Sequence, residues 1–320
     1  MIKKTTNSTK IDYLRLSLTD RCNLRCIYCW PKNGIIRKAQ HEVLSYEEIL
    51  RLAKIFVSLG IKKIRLTGGE PLVRKGVIYL ANALVKTKGL KEVVLTTNGM
   101  LLPAYAQALK RAGIQRLNIS LNTLNRARFE SISGSDYIDR VFAGIAQAKS
   151  VGFKPIKLNT VIMKGVNDDE LIDFVEYAIS NGLILRFIEF MQVTPLWREQ
   201  YFISIEEIKK VCQKRFRLKK KGNLGCSPAE YYQIDDNAVL GFIKTDENNC
   251  RKCNRLRLSS TGELKICLYQ DKGVSIKELL RTGATDAEIK DLLTAKMAAK
   301  KYTDYRTYER AGTYMCNIGG

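Results

Sequence analysis

The run Leu14-Arg15-Leu16-Ser17-Leu18-Thr19-Asp20-Arg21-Cys22-Asn23-Leu24-Arg25-Cys26-Ile27-Tyr28-Cys29 begins as a strand and ends as a thiol-rich loop. Successive side chains of an extended chain point to opposite faces, so Leu14, Leu16 and Leu18 share one side while Arg15 and Ser17 share the other. The cysteines follow at C-x₃-C-x₂-C spacing directly after the strand, where a parallel α/β sheet places its ligand sites.

The same two-faced pattern recurs downstream. Ile64 and Leu66 oppose Arg65 and Thr67; Leu117, Ile119 and Leu121 oppose Asn118 and Ser120; Ile156 and Leu158 oppose Lys157 and Asn159. A flat sheet covered on both faces reads as near-continuous apolar strands, and a closed eight-stranded barrel fills its interior with branched aliphatics. Polar residues repeated on one face point instead to a curled, incomplete (βα)₆ barrel of TIM type with a wet, cationic lumen. A half-exposed sheet with one solvated face is the alternative. The strand-like runs are 13–18, 62–67, 92–97, 116–121, 156–162 and 185–191. Helical patterns alternate with them: one from the Ser45/Glu48 capping box to Gly60, others after Pro103, Asp136 and Asn167.

After about residue 195 the texture changes. Capping boxes continue at Ser204/Glu207, Ser275/Glu278 and Thr285/Glu288, but strands become fewer and charge denser. This predicts a barrel unit over 5–195 and a C-terminal α+β segment over 196–320 packed onto it. The basic run Lys209–Lys221 reads as a solvated face, with nucleic-acid contact as its alternative.

Composition restricts the chemistry. The chain has 320 residues, with 54 Lys and Arg against 32 Asp and Glu, a net charge of +22. Such a surplus favours an anionic partner, and 45% hydrophobic residues exclude a disordered basic chain. A single histidine, His41, argues against imidazole-based hydrolysis and most catalytic zinc sites. The nine cysteines fit no paired disulfide framework, and no apolar run approaches the ~18 residues of a membrane span. A reducing cytoplasm is the expected location.

Cys22, Cys26 and Cys29 suit a small loop that wraps one cubane cluster and leaves its fourth iron without a protein ligand. A three-ligand zinc site or incidental thiols are the alternatives. Gly68-Gly69-Glu70-Pro71 follows the second strand, where glycines permit a close backbone approach. A second set, Cys250, Cys253 and Cys267, reads as another open cluster or as a zinc ribbon completed by Cys226 or Cys316. Arg255 and Arg257 alternate with Leu256 and Leu258 beside it, so both guanidiniums point the same way.

At these residues the chain resembles the radical S-adenosylmethionine superfamily, and more closely the GTP 3′,8-cyclase family of molybdenum cofactor biosynthesis. The resemblance runs through Leu14–Cys22, Arg65–Pro71, Thr96-Thr97-Asn98-Gly99, Asn118–Leu121, Phe187–Met191, the second cysteine set and the terminal Gly319-Gly320. Asn122, where an aspartate is usual, and Cys316, where a small hydroxyl residue is expected, depart from it.

The resemblance implies two [4Fe–4S] clusters and S-adenosylmethionine as cofactors, with metal ligands Cys22, Cys26, Cys29, Cys250, Cys253 and Cys267. It implies S-adenosylmethionine contacts from Tyr28, Gly69, Ser120 and Met191, and GTP contacts from Arg15, Arg65, Thr96, Lys157, Arg255, Leu256 and Arg257. Arg255 and Arg257 would be catalytic, and the glycine tail would reach the active site. A 5′-deoxyadenosyl radical would take hydrogen from C3′ of GTP, and C3′ would add to guanine C8, giving (8S)-3′,8-cyclo-7,8-dihydroguanosine 5′-triphosphate. Implied partners are a flavodoxin- or ferredoxin-like reductant and the downstream cyclic pyranopterin monophosphate synthase, in an assembly compatible with a homodimer and without membrane attachment. A radical enzyme that modifies RNA is the rival within the superfamily, resting on the +22 charge.

Overall fold

The computed structural model describes residues 10–222, 228–234, 238–244, 250, 252–300 and 314–318. Cys226, Gly319 and Gly320 lie outside these residues. Strands β1 (Tyr13–Ser17), β2 (Lys63–Thr67), β3 (Glu92–Thr97), β4 (Leu117–Ser120), β5 (Ile156–Ile162) and β6 (Ile184–Glu189) lie side by side in chain order, each neighbouring pair parallel. Helices α1 (Tyr46–Ser58), α2 (Val77–Val85), α3 (Leu102–Arg111), α4 (Arg126–Ser133), α5 (Ile138–Ser150) and α6 (Leu171–Asn181) alternate with them.

Local chemistry sets these elements. At α1 the Glu48 amide donates to Ser45 Oγ at 3.1 Å, and the Glu48 carboxylate accepts from the Ser45 amide at 2.7 Å, satisfying two otherwise orphaned donors. Ile49, Leu52, Ala53, Ile55 and Phe56 form its buried face. In β5 the residues Ile156, Leu158, Thr160 and Ile162 are buried and alternate with half-exposed Lys157, Asn159 and Val161. The alternation expected from sequence is therefore a division between helix-packed core and cavity wall.

The C-terminal segment contains α7 (Ile205–Gln213), β7 (Leu218–Gly222), β8 (Glu230–Ile234), β9 (Ala238–Ile243), β10 (Arg255–Leu258), β11 (Glu263–Lys265), β12 (Val274–Ser275), α8 (Ile276–Arg281), α9 (Asp286–Lys300) and α10 (Met315–Ile318). It is richer in strands than the sequence suggested. β9 joins β6 and β10 joins β1, both in parallel, and antiparallel β8–β7 and β11–β12 finish the two ends of one 12-stranded sheet. Ile243 on β9 and Arg257 on β10, from opposite ends of the parallel row, line one cavity. The sheet is thus curled into the incomplete barrel expected, with open ends at β7 and β12.

Part of the basic run forms β7. Lys219, Lys220 and Lys221 are exposed on this edge strand, where lysines discourage pairing with another chain. Lys209 and Lys220 both pair with Glu230, at 2.8 and 2.5 Å.

Candidate functional site

The cavity has a volume of about 580 Å³ and is lined by side chains from strands across the parallel sheet. Ten Lys and Arg residues line it against three carboxylates, Asp12, Glu92 and Glu189. Glu92 is already paired with Lys63 at 2.8 Å and with Arg116.

Parallel register stacks the polar residues in tiers. Tyr13 lies beside Arg255 on one side and Lys63 on the other. Two residues along, Arg257, Arg15 and Arg65 form a row across three neighbouring strands. Thr96, Asn118 and Lys157 align likewise, as do Ser120, Asn159 and Arg186. Like charges on adjacent strands repel, and burial strips them of water, so this row is set up for a polyanion. Burial, then the charge of Arg257, pulls Arg15 well below the usual guanidinium range. Burial, followed by the charge of Arg255, lowers Arg257 to about 10.

Two tyrosines escaped the sequence reading. Burial alone would raise the Tyr13 phenol, but Arg65, Arg15 and Lys63 override it and bring the group down to about 7. Arg65 Nε donates to its oxygen, while Arg65 Nη1 donates to Thr96 Oγ1 at 3.1 Å. Tyr231 accepts from Lys157 Nζ at 3.0 Å. Arg186, also missed, is 6% exposed and donates from Nε to Asn159 Oδ1 at 2.8 Å. Strand parity would have found Tyr13, which shares the face of Arg15, and Arg186 at the centre of β6.

The cysteine loop closes the end of the cavity reached by the C-termini of the strands. Cys22, Cys26 and Cys29 all line it, with Tyr28, Gly69, Ser120 and Met191. The Gly68–Pro71 turn is held against the loop by its backbone: Gly69 N donates to Thr19 O at 2.7 Å, and Glu70 N to Arg21 O at 2.8 Å. A Cβ on Gly69 would stand 2.3 Å from Arg21 O, so only glycine fits. Glu70, fully buried, accepts from the Asn98 amide at 2.7 Å, the Thr97 hydroxyl at 2.8 Å and the Leu72 amide at 3.1 Å. Asn98 Nδ2 then donates to Asn23 at 2.7 Å inside the cysteine loop. One carboxylate thereby ties three motifs together. Asn122 Nδ2 donates to the Tyr28 phenol at 2.8 Å, a role that an ionised aspartate would not perform.

The donors fit an iron–sulfur cluster. Three thiols open into one cavity with no carboxylate or histidine between them, and the buried Trp30 Nε1 beside Cys29 has no acceptor among the described residues. Burial raises Cys22 to about 12 and Cys26 to about 11, so a bound cation is what would draw their protons off. Among the described residues no three Cys, His, Asp or Glu side chains are already gathered around one metal position.

Cys250, Cys253 and Cys267 lie close enough to influence one another. Burial would raise Cys253, but Arg255 and Lys300 outweigh it and bring the thiol to about 6. Arg255 and Arg257 line the cavity, whereas the Leu256 side chain, 0% exposed, packs in the apolar core on the other face. Only the Leu256 backbone is available to a ligand. No helix among the described residues is long and apolar enough to cross a membrane.

Comparison with known proteins accords with this geometry. The Radical SAM superfamily model matches residues 16–178, and the Molybdenum Cofactor Synthesis C model matches 183–305. The GTP 3′,8-cyclase of Thermodesulfovibrio yellowstonii is 45% identical over 88% of this chain and 89% of that one, and that of Peptoclostridium acidaminophilum 47% over 86% and 85%. Streptococcus suis SuiB, solved with its precursor peptide SuiA, shares the fold with a TM-score of 0.65 at 18% identity, covering 96% of this chain and 69% of that one. The chain belongs to the radical SAM superfamily and, within it, to the GTP 3′,8-cyclase family.

Proposed function

We propose that this cavity binds GTP and closes a bond between ribose C3′ and guanine C8, producing (8S)-3′,8-cyclo-7,8-dihydroguanosine 5′-triphosphate, the first step of molybdenum cofactor biosynthesis. The observation that carries the reading is the in-register row Arg257–Arg15–Arg65 in the same cavity as the Cys22–Cys29 loop. A triphosphate offers up to about four negative charges to such a row, and charge-assisted bonds to it are roughly twice as strong as neutral ones.

Cys22, Cys26 and Cys29 would hold one [4Fe–4S] cluster, and Cys250, Cys253 and Cys267 a second. When bound, the first cluster and S-adenosylmethionine supply the 5′-deoxyadenosyl radical that removes hydrogen from C3′ of GTP. Tyr28, Gly69, Ser120 and Met191 surround the loop end of the cavity and would contact S-adenosylmethionine. Arg15, Arg65, Thr96 and Lys157 lie deeper along the strands, joined by Arg186, and would hold the phosphates. Arg255, Arg257 and the Leu256 backbone would meet GTP beside the second cluster, with Arg257 also ending the row that holds the phosphates. Addition of C3′ to C8 leaves an unpaired electron on the base, so the product requires one electron and one proton. A flavodoxin- or ferredoxin-like protein would supply the electron, and a cytoplasmic cyclic pyranopterin monophosphate synthase would take the product. Residues 5–195 and 196–320 would form the two units, the second closing the first.

RNA modification is less well supported, because an in-register row of arginines lines the cavity that holds the cysteine loop, and Lys209 and Lys220 of the basic run are engaged by Glu230. The test is anaerobic reconstitution: about eight irons per chain for two cubane clusters, with 5′-deoxyadenosine release that depends on GTP. Zinc in place of iron, or release stimulated by RNA and indifferent to GTP, would overturn the reading.

A further inference from the structure

The short helix α10 returns to the cavity from the far end of the chain, and Met315 lines its wall. Cys316 next to it is 1% exposed, and its Sγ lies 3.6 Å from the carbonyl oxygen of Cys29. The two thiols are also close enough to influence one another. The other loop thiols have different neighbours: Cys22 Sγ accepts from the Leu24 amide at 3.4 Å and from Asn98 Nδ2 at 3.8 Å, and Cys26 lies close enough to Tyr28 to be influenced by it. Among the described residues, Cys29 is the loop cysteine that lies against a thiol from outside the loop.

We propose that Cys29 and Cys316 form a reversible disulfide in the cluster-free chain, a modification site that fastens α10 across the mouth of the cysteine loop. Peroxide entering the cavity reaches Cys29, which is half-buried on its wall, before Cys316. The Cys29 sulfur attacks one peroxide oxygen and the O–O bond breaks, giving a sulfenic acid and water. Cys316 sulfur then displaces the hydroxyl from that sulfenic acid, releasing a second water and forming the S–S bond. In total two thiols lose two protons and two electrons, and one hydrogen peroxide becomes two waters. A neighbouring thiol that captures the sulfenic acid stops oxidation before the irreversible sulfinic stage. The disulfide would preserve a cluster ligand through oxidative loss of the cluster and bar reassembly until a dithiol reopens it.

This consequence for cluster assembly rests on the Cys22–Cys29 loop being a cluster site; the disulfide itself does not. The cluster-free full-length chain is treated with one equivalent of hydrogen peroxide, alkylated, and analysed by intact mass and peptide mapping. The expected result is a loss of about 2 Da with a crosslinked peptide joining Cys29 to Cys316. Cys316→Ser should lose that crosslink and carry sulfinic acid at Cys29 at several-fold higher yield. Crosslinks confined to Cys22, Cys26 and Cys29, or none involving Cys316, would overturn the proposal. In a second arm, oxidised wild type should take up at least five-fold less iron at this site than the reduced chain, with full recovery after dithiothreitol. Equal iron uptake by both would refute the barrier to assembly while leaving the crosslink result to stand by itself, and failure of the reduced chain to bind iron would strike the cluster reading instead.

Discussion

Arg15 and Arg257 face each other as register partners on adjacent parallel strands, and Arg65 extends the row on the other side of Arg15. Two buried guanidiniums, Arg65 and Arg257, with the half-buried Arg15 between them cost the protein stability without a ligand and give it its hold on phosphate. The net charge of +22 acquires a specific meaning here, because ten of the chain's Lys and Arg residues line one cavity with room for a small polyanion.

Replacing Arg257 with Ala should therefore weaken GTP binding by roughly 10- to 100-fold, the loss of one charge-assisted contact of about 1.5–3 kcal/mol. Affinity for guanosine, which lacks the phosphates, should hardly change. Isothermal titration of both ligands checks the contrast, and equal losses would show that Arg257 does not read phosphate.

The same row predicts a trade of function for stability. Arg15→Met removes a half-buried charge beside two others and keeps much of the volume, so the chain without GTP should melt about 2–4 °C higher. Its GTP affinity should fall at the same time. A lower melting temperature would mean that the neighbouring groups already compensate Arg15.

Tyr13 should make binding proton-linked. Its phenol is lowered to about 7 in the folded chain against 10.0 for the free group, so the unfolded chain binds more protons across that interval. The resulting stabilisation is fully present above about pH 10 and is lost as pH falls through about 7. A bound triphosphate adds negative charge near the phenolate and pushes the group back up, so GTP should bind with proton uptake at neutral pH. Calorimetry in buffers of differing ionisation enthalpy measures that uptake, and Tyr13→Phe should abolish it.

How far these features were legible in the sequence depends on the range of the interaction behind them. The parity of β1, β2, β4 and β5 is local and correctly assigned Arg15, Arg65, Asn118, Ser120 and Lys157 to one face. Tyr13 and Arg186 follow the same rule but were passed over, one as an aromatic and the other within a run given no parity. The C-terminal strands escaped for a different reason. β7 reads Leu-Lys-Lys-Lys-Gly, with no apolar alternation, and is held by pairing with β8. The insertion of β9 beside β6 and of β10 beside β1 is long-range pairing that no local pattern announces. The Glu70 clamp was equally hidden: the motif was visible, but its partners Thr97 and Asn98 come from another strand end.

That clamp gives a further expectation. Glu70→Ala would leave the buried Asn98 and Leu72 amides unsatisfied, at about 1–3 kcal/mol for each orphaned donor, and loosen the Cys22–Cys29 loop. Iron uptake at that loop should drop several-fold while uptake at Cys250, Cys253 and Cys267 stays unchanged. Site-resolved Mössbauer spectra of the reconstituted variant would show the difference, and equal loss at both sites would point to general unfolding.

The most direct measurement is anaerobic turnover with GTP deuterated at ribose C3′. If the guanidinium row seats GTP in a radical SAM cyclase, deuterium should appear in the 5′-deoxyadenosine and the product should carry the C3′–C8 bond. The formation of 5′-deoxyadenosine free of that deuterium, or its formation at the same rate without GTP, would contradict the account.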